Sequence, residues 1–184
     1  MNGGRGLLLG LMIVLLCVVG TAKAQSYRQL TLEDFGGAPG YSGDVVAETA
    51  CSISLQYDVH ARNNYYQLTF HVGLEVDHLK SWLDRTRLKT RTRIEEILKH
   101  EQGHYTISFL EQQELLRIFN RTRFDENYKT EVLDIFDRIH NKYQQLNKDY
   151  DEDTDNSRNR VQQASWDKYF ERKLAYMPPS RDDS

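Results

Sequence analysis

Two histidines stand four residues apart in the stretch ILKHEQGHYTI (residues 97–107), with a glutamate directly after the first. At about 100° per residue in a helix, His100, Glu101 and His104 share an arc of roughly 140° with Ile94, Ile97, Ile107, Ser108, Glu111, Leu115, Ile118 and Phe119. Lys99, Gln102, Gly103, Gln113 and Arg117 fall on the opposite, solvated side. A carboxylate on a core-facing stripe loses hydration worth several kcal/mol, so it must be paired, protonated or set beside a cation. Imidazoles at i and i+4 project from one face and can each give a ring nitrogen to a single Zn²⁺. Glu101 would then stand beside the ion rather than on it, placed to take a proton from a water whose pKa the metal lowers to about 7. The bland alternative is a core helix with two hydrogen-bonded histidines, which leaves the buried glutamate without a partner. Gly103 speaks against a purely structural helix, since glycine costs about 1 kcal/mol there relative to alanine. Its presence implies that something packs closely against that turn.

A catalytic zinc has three protein ligands and one open position. The extended motif HExxHxxGxxH requires glycine and histidine where this chain has Ile107 and Leu110, so that class is excluded. The remaining donors are Glu131, Asp134, Asp137 and His140 on a second helix, Asp151, Asp153 and Asp155 in an acidic stretch, and His60, His71 and His78 on or near a hairpin. Asp134, Asp137 and His71 read as ordinary surface residues. Spacing alone does not choose a third ligand.

The elements that must position these residues follow from periodicity. Cys51, Ile53, Leu55, Tyr57 and Val59 alternate with polar residues, Ala61 to Asn64 is turn chemistry, and Tyr66, Leu68, Phe70, Val72, Leu74 and Val76 alternate again, which predicts a hairpin. Asp77 can cap a short helix holding Leu79, Trp82 and Leu83. A long helix is predicted over 92–119 and a second over 125–148, the latter with Val132, Ile135, Phe136, Ile139 and Tyr143 as its stripe. Residues 149–159 are acid-rich and predict a loop. A last helix over 160–176 carries Trp166, Tyr169, Phe170 and Leu174 and ends before Pro178-Pro179. The expected fold is α+β and zincin-like: an N-terminal β-hairpin or small antiparallel sheet packed on a helical C-terminal half that carries the HExxH helix.

Residues 1–24 have a positive start, an apolar run from Leu7 to Val19 and Ala22-Lys23-Ala24, the pattern of an export signal cut near Ala24. The run is short for a membrane span and no second one follows. The organisation expected is a signal over 1–24, one domain over 25–177, a disordered tail over 178–184, and a periplasmic or secreted location. The formal net charge of −3 becomes −5 once Arg5 and Lys23 leave with the signal, a balance that does not suggest nucleic acid. The basic run 85–93 (RTRLKTRTR) reads as a solvated helix approach. Cys17 leaves with the signal, so Cys51 has no internal partner and reads as a core thiol.

The chain resembles the bacterial family of unknown function DUF922, described as predicted secreted zinc-dependent proteases. The resemblance runs through Leu32-Glu33-Asp34-Phe35 with Gly37 and Pro39, Ser81-Trp82, Leu98 to Tyr105, Tyr150-Asp151 with Thr154, and Gln163 and Trp166. It implies His100 and His104 as metal ligands and Glu101 as catalytic base. The family's late motif looks like Tyr-Asp-x-x-Thr-x-His, and its histidine is the natural third ligand, but here that position is Asn156. An acidic residue commonly follows the aromatic after the second histidine, and here it is Thr106. Asp155 and Asp151 are the candidate substitutes for the missing ligand. The reading that results is a zinc-dependent peptidase acting on a peptide or protein, with the edge at 65–76 aligning an extended substrate. The alternative is a degenerate metal-binding or protein-binding module of the bacterial envelope.

Overall fold

The computed structural model describes residues 26–40, 43–62 and 65–176. The expected export signal and C-terminal tail lie outside the described residues. The architecture is α+β, with two small antiparallel sheets and three long helices. Strand β1 (Ala47–Glu48) pairs with β4 (Trp82–Leu83), and β2 (Cys51–Arg62) pairs with β3 (Tyr65–Val76). The second pair is the expected hairpin, in register from Cys51 opposite Val76 to Arg62 opposite Tyr65. Its alternation turns Phe70, Val72 and Leu74 into the core while Ser52, Gln56 and His71 stay exposed.

The short helix expected after Asp77 is instead a single turn followed by a strand. Asp77 Oδ1 accepts from the main-chain N–H groups of Leu79 (3.0 Å) and Lys80 (3.1 Å), which closes the turn. The chain then straightens so that the buried Trp82 and Leu83 pair with β1, with Ala47 opposite Leu83 and Glu48 opposite Trp82. Leu79, expected in the same short helix as Trp82 and Leu83, is left exposed.

Helix α1 (Arg91–Phe119) follows the expected bounds and is capped by Thr90, whose hydroxyl accepts from Arg93 N at 3.2 Å. Its middle is buried on nearly every side, not on one stripe: Gly103, Tyr105, Thr106, Phe109, Leu110 and Gln112 join Ile97, Ile107, Leu115 and Phe119. The cause is its central position. One core (Phe70, Val72, Leu115, Phe119, Ile139, Tyr150 and neighbours) lies towards the hairpin and the other helices; a second (Leu30, Phe35, Ala47, Leu83, Ile97, Tyr105, Phe109) lies under the N-terminal segment and β1 and β4. Gly103 and Gln102, read as solvated, are accordingly covered: Gln102 Oε1 accepts from Leu30 N at 2.6 Å and its amide donates to Tyr27 Oη at 2.9 Å.

Helix α2 (Tyr128–Thr154) starts three residues later than expected and runs six residues further, through half of the predicted acidic loop. Val132, Ile139, Tyr143, Tyr150 and Thr154 are all buried, so the inward stripe continues at spacings of seven and four past Lys148. Asp149, Glu152 and Asp153 ride the outer face, where their charge is no obstacle to a helix. Asp155, in the left-handed conformation, ends it. Helix α3 (Arg160–Ala175) is capped by Asn159, whose Oδ1 accepts from Gln162 N at 3.2 Å. Among the described residues no helix is long and apolar enough to cross a membrane. In the basic run, Arg85 and Arg87 donate to main-chain oxygens of Leu32, Gly43 and Val45, while Arg91 and Arg93 pair with Glu95 and Glu96.

Candidate metal centre

Helices α1, α2 and α3 converge on the two histidines. His100 is 3 % exposed, and its Nε2 lies 3.2 Å from His104 Nε2. The last full turn of α2 brings Asp151 Oδ1 to 3.2 Å from both of those nitrogens. The three atoms form a triangle with equal sides. A tetrahedral ion with N and O ligands at about 2.0–2.1 Å keeps its donors roughly 3.3 Å apart, so the triangle fits such an ion without rearrangement.

The outer ring nitrogens are held as well. His104 Nδ1 faces Asn147 Oδ1 at 2.7 Å, and His100 Nδ1 faces Gln163 Oε1 at 3.2 Å. The Gln163 amide is oriented by its Nε2, which donates to Asp167 Oδ1 (3.0 Å) and Tyr150 Oη (2.8 Å). With each Nδ1–H donating to an amide oxygen, each Nε2 turns a lone pair towards the centre. Two lone pairs and a carboxylate oxygen then meet with no donor among them, an arrangement that demands a proton or a cation.

The electrostatics agree. Burial alone would lower the His104 pKa, but the hydrogen bond to Asp151, the charges of Glu101 and Asp151 and the bond to Asn147 outweigh it and raise it to about 9. Burial would raise the Asp151 carboxyl, yet its bonds to His100 and His104 hold it well below the usual carboxylate range.

Tyr150 keeps the rings in place. Its ring stacks on His100 at 4.7 Å and 17° and meets His104 edge-on at 5.1 Å. Its hydroxyl donates to the His100 carbonyl at 3.0 Å. The close approach implied by Gly103 is this ring: a Cβ there would collide with Tyr150 Oη and Cζ.

Glu101, 2 % exposed, belongs with His100 and His104 to a group that could hold a metal ion, all three ligand atoms lying within 4.8 Å of one another. Its Oε2 accepts from Thr49 Oγ1 at 2.6 Å. That bond turns one oxygen towards the segment beyond β1 and leaves Asp151 with the tighter fit to both imidazoles. A cleft of about 330 Å³ opens here, lined by residues 45–49, by Ile97, His100, Glu101 and His104 of α1, and by Asn147, Asp151 and Asn156.

The other sequence candidates lie apart. Asp155 points outward and pairs with Arg158 at 2.7 Å, which holds its carboxyl below the ordinary range. Asp153 accepts from Trp166 Nε1 at 3.0 Å. His140 bonds to Glu111 at 2.8 Å, and His60, His71 and His78 are exposed. Thr106 touches none of the cluster: its hydroxyl donates to Gln102 O at 2.7 Å and meets Tyr27 Oη at 2.8 Å. Cys51 is half-buried with its thiol pushed up to about 11, chiefly by burial, as suits a packing residue. Thr49 and Asn147 escaped the sequence reading, although Asn147, Tyr150, Asp151 and Thr154 have the i, i+3, i+4, i+7 spacing of one helical face.

Fold and site define an α+β protein with a largely buried His–Glu–His group that could hold a metal. The model of the family DUF922, a bacterial protein of unknown function, matches residues 18–159. The chain belongs to that family. Helix α3, which supplies Gln163, lies beyond the matched span. No curated protein and no solved structure matches the chain.

Proposed function

We propose that the protein is an exported, zinc-dependent peptidase of zincin-like organisation, with His100, His104 and Asp151 as the ligands. The observation that carries this reading is the 3.2 Å triangle of Nε2, Nε2 and Oδ1 with both outer nitrogens already donating. Two imidazoles and one carboxylate suit Zn²⁺, which when bound supplies a Lewis acid that polarises a carbonyl and lowers the pKa of water. Glu101, adjacent in sequence to one ligand and steadied by Thr49, is the group to accept the proton of an attacking water and return it to the leaving amine. Buried Tyr150 keeps bulk water from the rear of the triad.

For the substrate, the cleft replaces the hairpin edge expected from sequence. Its lining includes residues 45–49 and none from residues 65–76. Among the described residues β1 has a ladder partner on one side only, β4, so its other edge can take an extended peptide by main-chain pairing.

The test is metal content together with Glu101→Gln. Equilibrium dialysis of the chain from Gln25 onward should find one zinc per chain, lost in the His100→Ala variant. Glu101→Gln should keep the zinc and lose cleavage of a synthetic peptide mixture followed by mass spectrometry. Equal cleavage by both proteins rejects the mechanism; zinc binding with no cleavage by either favours the non-catalytic binding module.

A further inference from the structure

The segment after α2 contains a conformation that helix termination does not require. Asp155 (φ 49°), Asn156 (φ 46°) and Ser157 (φ 75°) are three consecutive non-glycine residues in the left-handed region. One such residue suffices to end a helix, and Asp155 provides it. Asn156 tolerates that region as asparagine commonly does, but Ser157 carries strain that persists because the surroundings fix it. Asn156 N donates to Asp151 O at 3.1 Å, and Asn159 N donates to Thr154 O at 2.8 Å. Arg93 of α1 holds the buried Ser157 through its carbonyl (3.3 Å) and its hydroxyl (3.0 Å). The turn leaves Asn156 in the lining of the cleft to which His100, Glu101, His104 and Asp151 also belong.

The two asparagines of that lining differ. Asn147 is engaged with His104 Nδ1, whereas the Asn156 carboxamide has no hydrogen-bond partner among the described residues. A carboxamide without an internal partner, at a residue that lines the same cleft as His100, Glu101, His104 and Asp151 and is fixed there by the held turn, is available to a ligand in that cleft.

We propose that Asn156 is a positioning residue that donates, through its side-chain N–H, to an oxygen of a carbonyl-bearing or oxyanionic ligand held at the open side of the His100–His104–Asp151 triad. The inference rests on the metal reading above. Asn156 thereby takes no part in holding the ion, although the family resemblance has a ligand at that position.

The experiment uses the chain from Gln25 onward loaded with Co²⁺, with acetohydroxamate as the probe and visible absorption as the readout. Asn156→Gly removes the carboxamide and relaxes the backbone, so the fold is kept; Asn156→Asp keeps the shape and replaces the donor by a charged acceptor. Both variants should bind Co²⁺ within about threefold of the parent and acetohydroxamate about tenfold more weakly, the loss expected for one hydrogen bond to a charged group. Unchanged acetohydroxamate affinity in Asn156→Gly overturns the proposal, as does a tenfold loss of Co²⁺ affinity, which would make Asn156 a ligand. A parent chain that takes up no Co²⁺ refutes the metal reading itself, a result distinct from either.

Discussion

Replacing Gly103 by alanine sets two effects of opposite sign against each other. In a helix interior alanine is favoured over glycine by about 0.8–1.0 kcal/mol. Against this, a Cβ at 103 would press into Tyr150, colliding with Oη and Cζ and lying 2.6 Å from Cε1. The ring cannot step aside: Tyr150 is wholly buried, stacked on His100 and packed edge-on against His104, Trp166 and Phe170. Overpacking of this kind costs about 1–3 kcal/mol. A shift of the ring also weakens the bond from Tyr150 Oη to His100 O and the bond it accepts from Gln163 Nε2, at about 1 kcal/mol each. The penalties outweigh the helical gain, leaving a net loss of about 2–4 kcal/mol, or roughly 5–15 °C in melting temperature for a domain of this size. Thermal and urea unfolding by circular dichroism in a chelating buffer measures it. The Gly103→Ala/Tyr150→Phe double variant, which lacks the nearest clashing atom, should be more stable than the sum of the single effects by about 1 kcal/mol. A Gly103→Ala protein as stable as the parent, or more so, refutes the packing argument.

Asp151→Ala should weaken zinc binding at least about tenfold, while Asp155→Ala, altering a carboxylate that faces Arg158, should leave it within about twofold; competition with a metal indicator reads both, and equal effects would remove Asp151 from the triad. Glu111, 3 % exposed, has its carboxyl raised chiefly by burial, which the hydrogen bond and charge of His140 only partly offset. A folded-state pKa above the unfolded one means that stability declines as pH rises from about 4.5 through the raised value and stays lower beyond it. Glu111→Gln keeps an oxygen for His140 Nδ1 and removes that decline, so its stability relative to the parent should rise between pH 4.5 and 7; parallel urea midpoints across that range would count against the account.

The hairpin and α1 were legible in the chain because both depend on local periodicity, two for Cys51 to Val76 and 3.6 around His100. The same periodicity put His100, Glu101 and His104 on a shared inward face before any neighbour was known, since that placement is a property of one helix. The one-sided stripe failed for α1, because a helix packed between two cores is covered all round, and only the arrangement of the other elements reveals that. The acidic stretch misled through its charge: the spacing of Tyr143, Tyr150 and Thr154 already continued the α2 stripe, and the aspartates around them simply face water. Which carboxylate meets the histidines is a different kind of question. Asp151, Asp153 and Asp155 are equivalent by composition, and the rotation of α2 against α1, some fifty residues apart in sequence, turns Asp151 alone towards the rings. Asn147 shares the α2 face of Asp151 and follows it to the rings, whereas Thr49 and Gln163 reach the cluster from two further places in the chain, so their part in it was decided by tertiary packing.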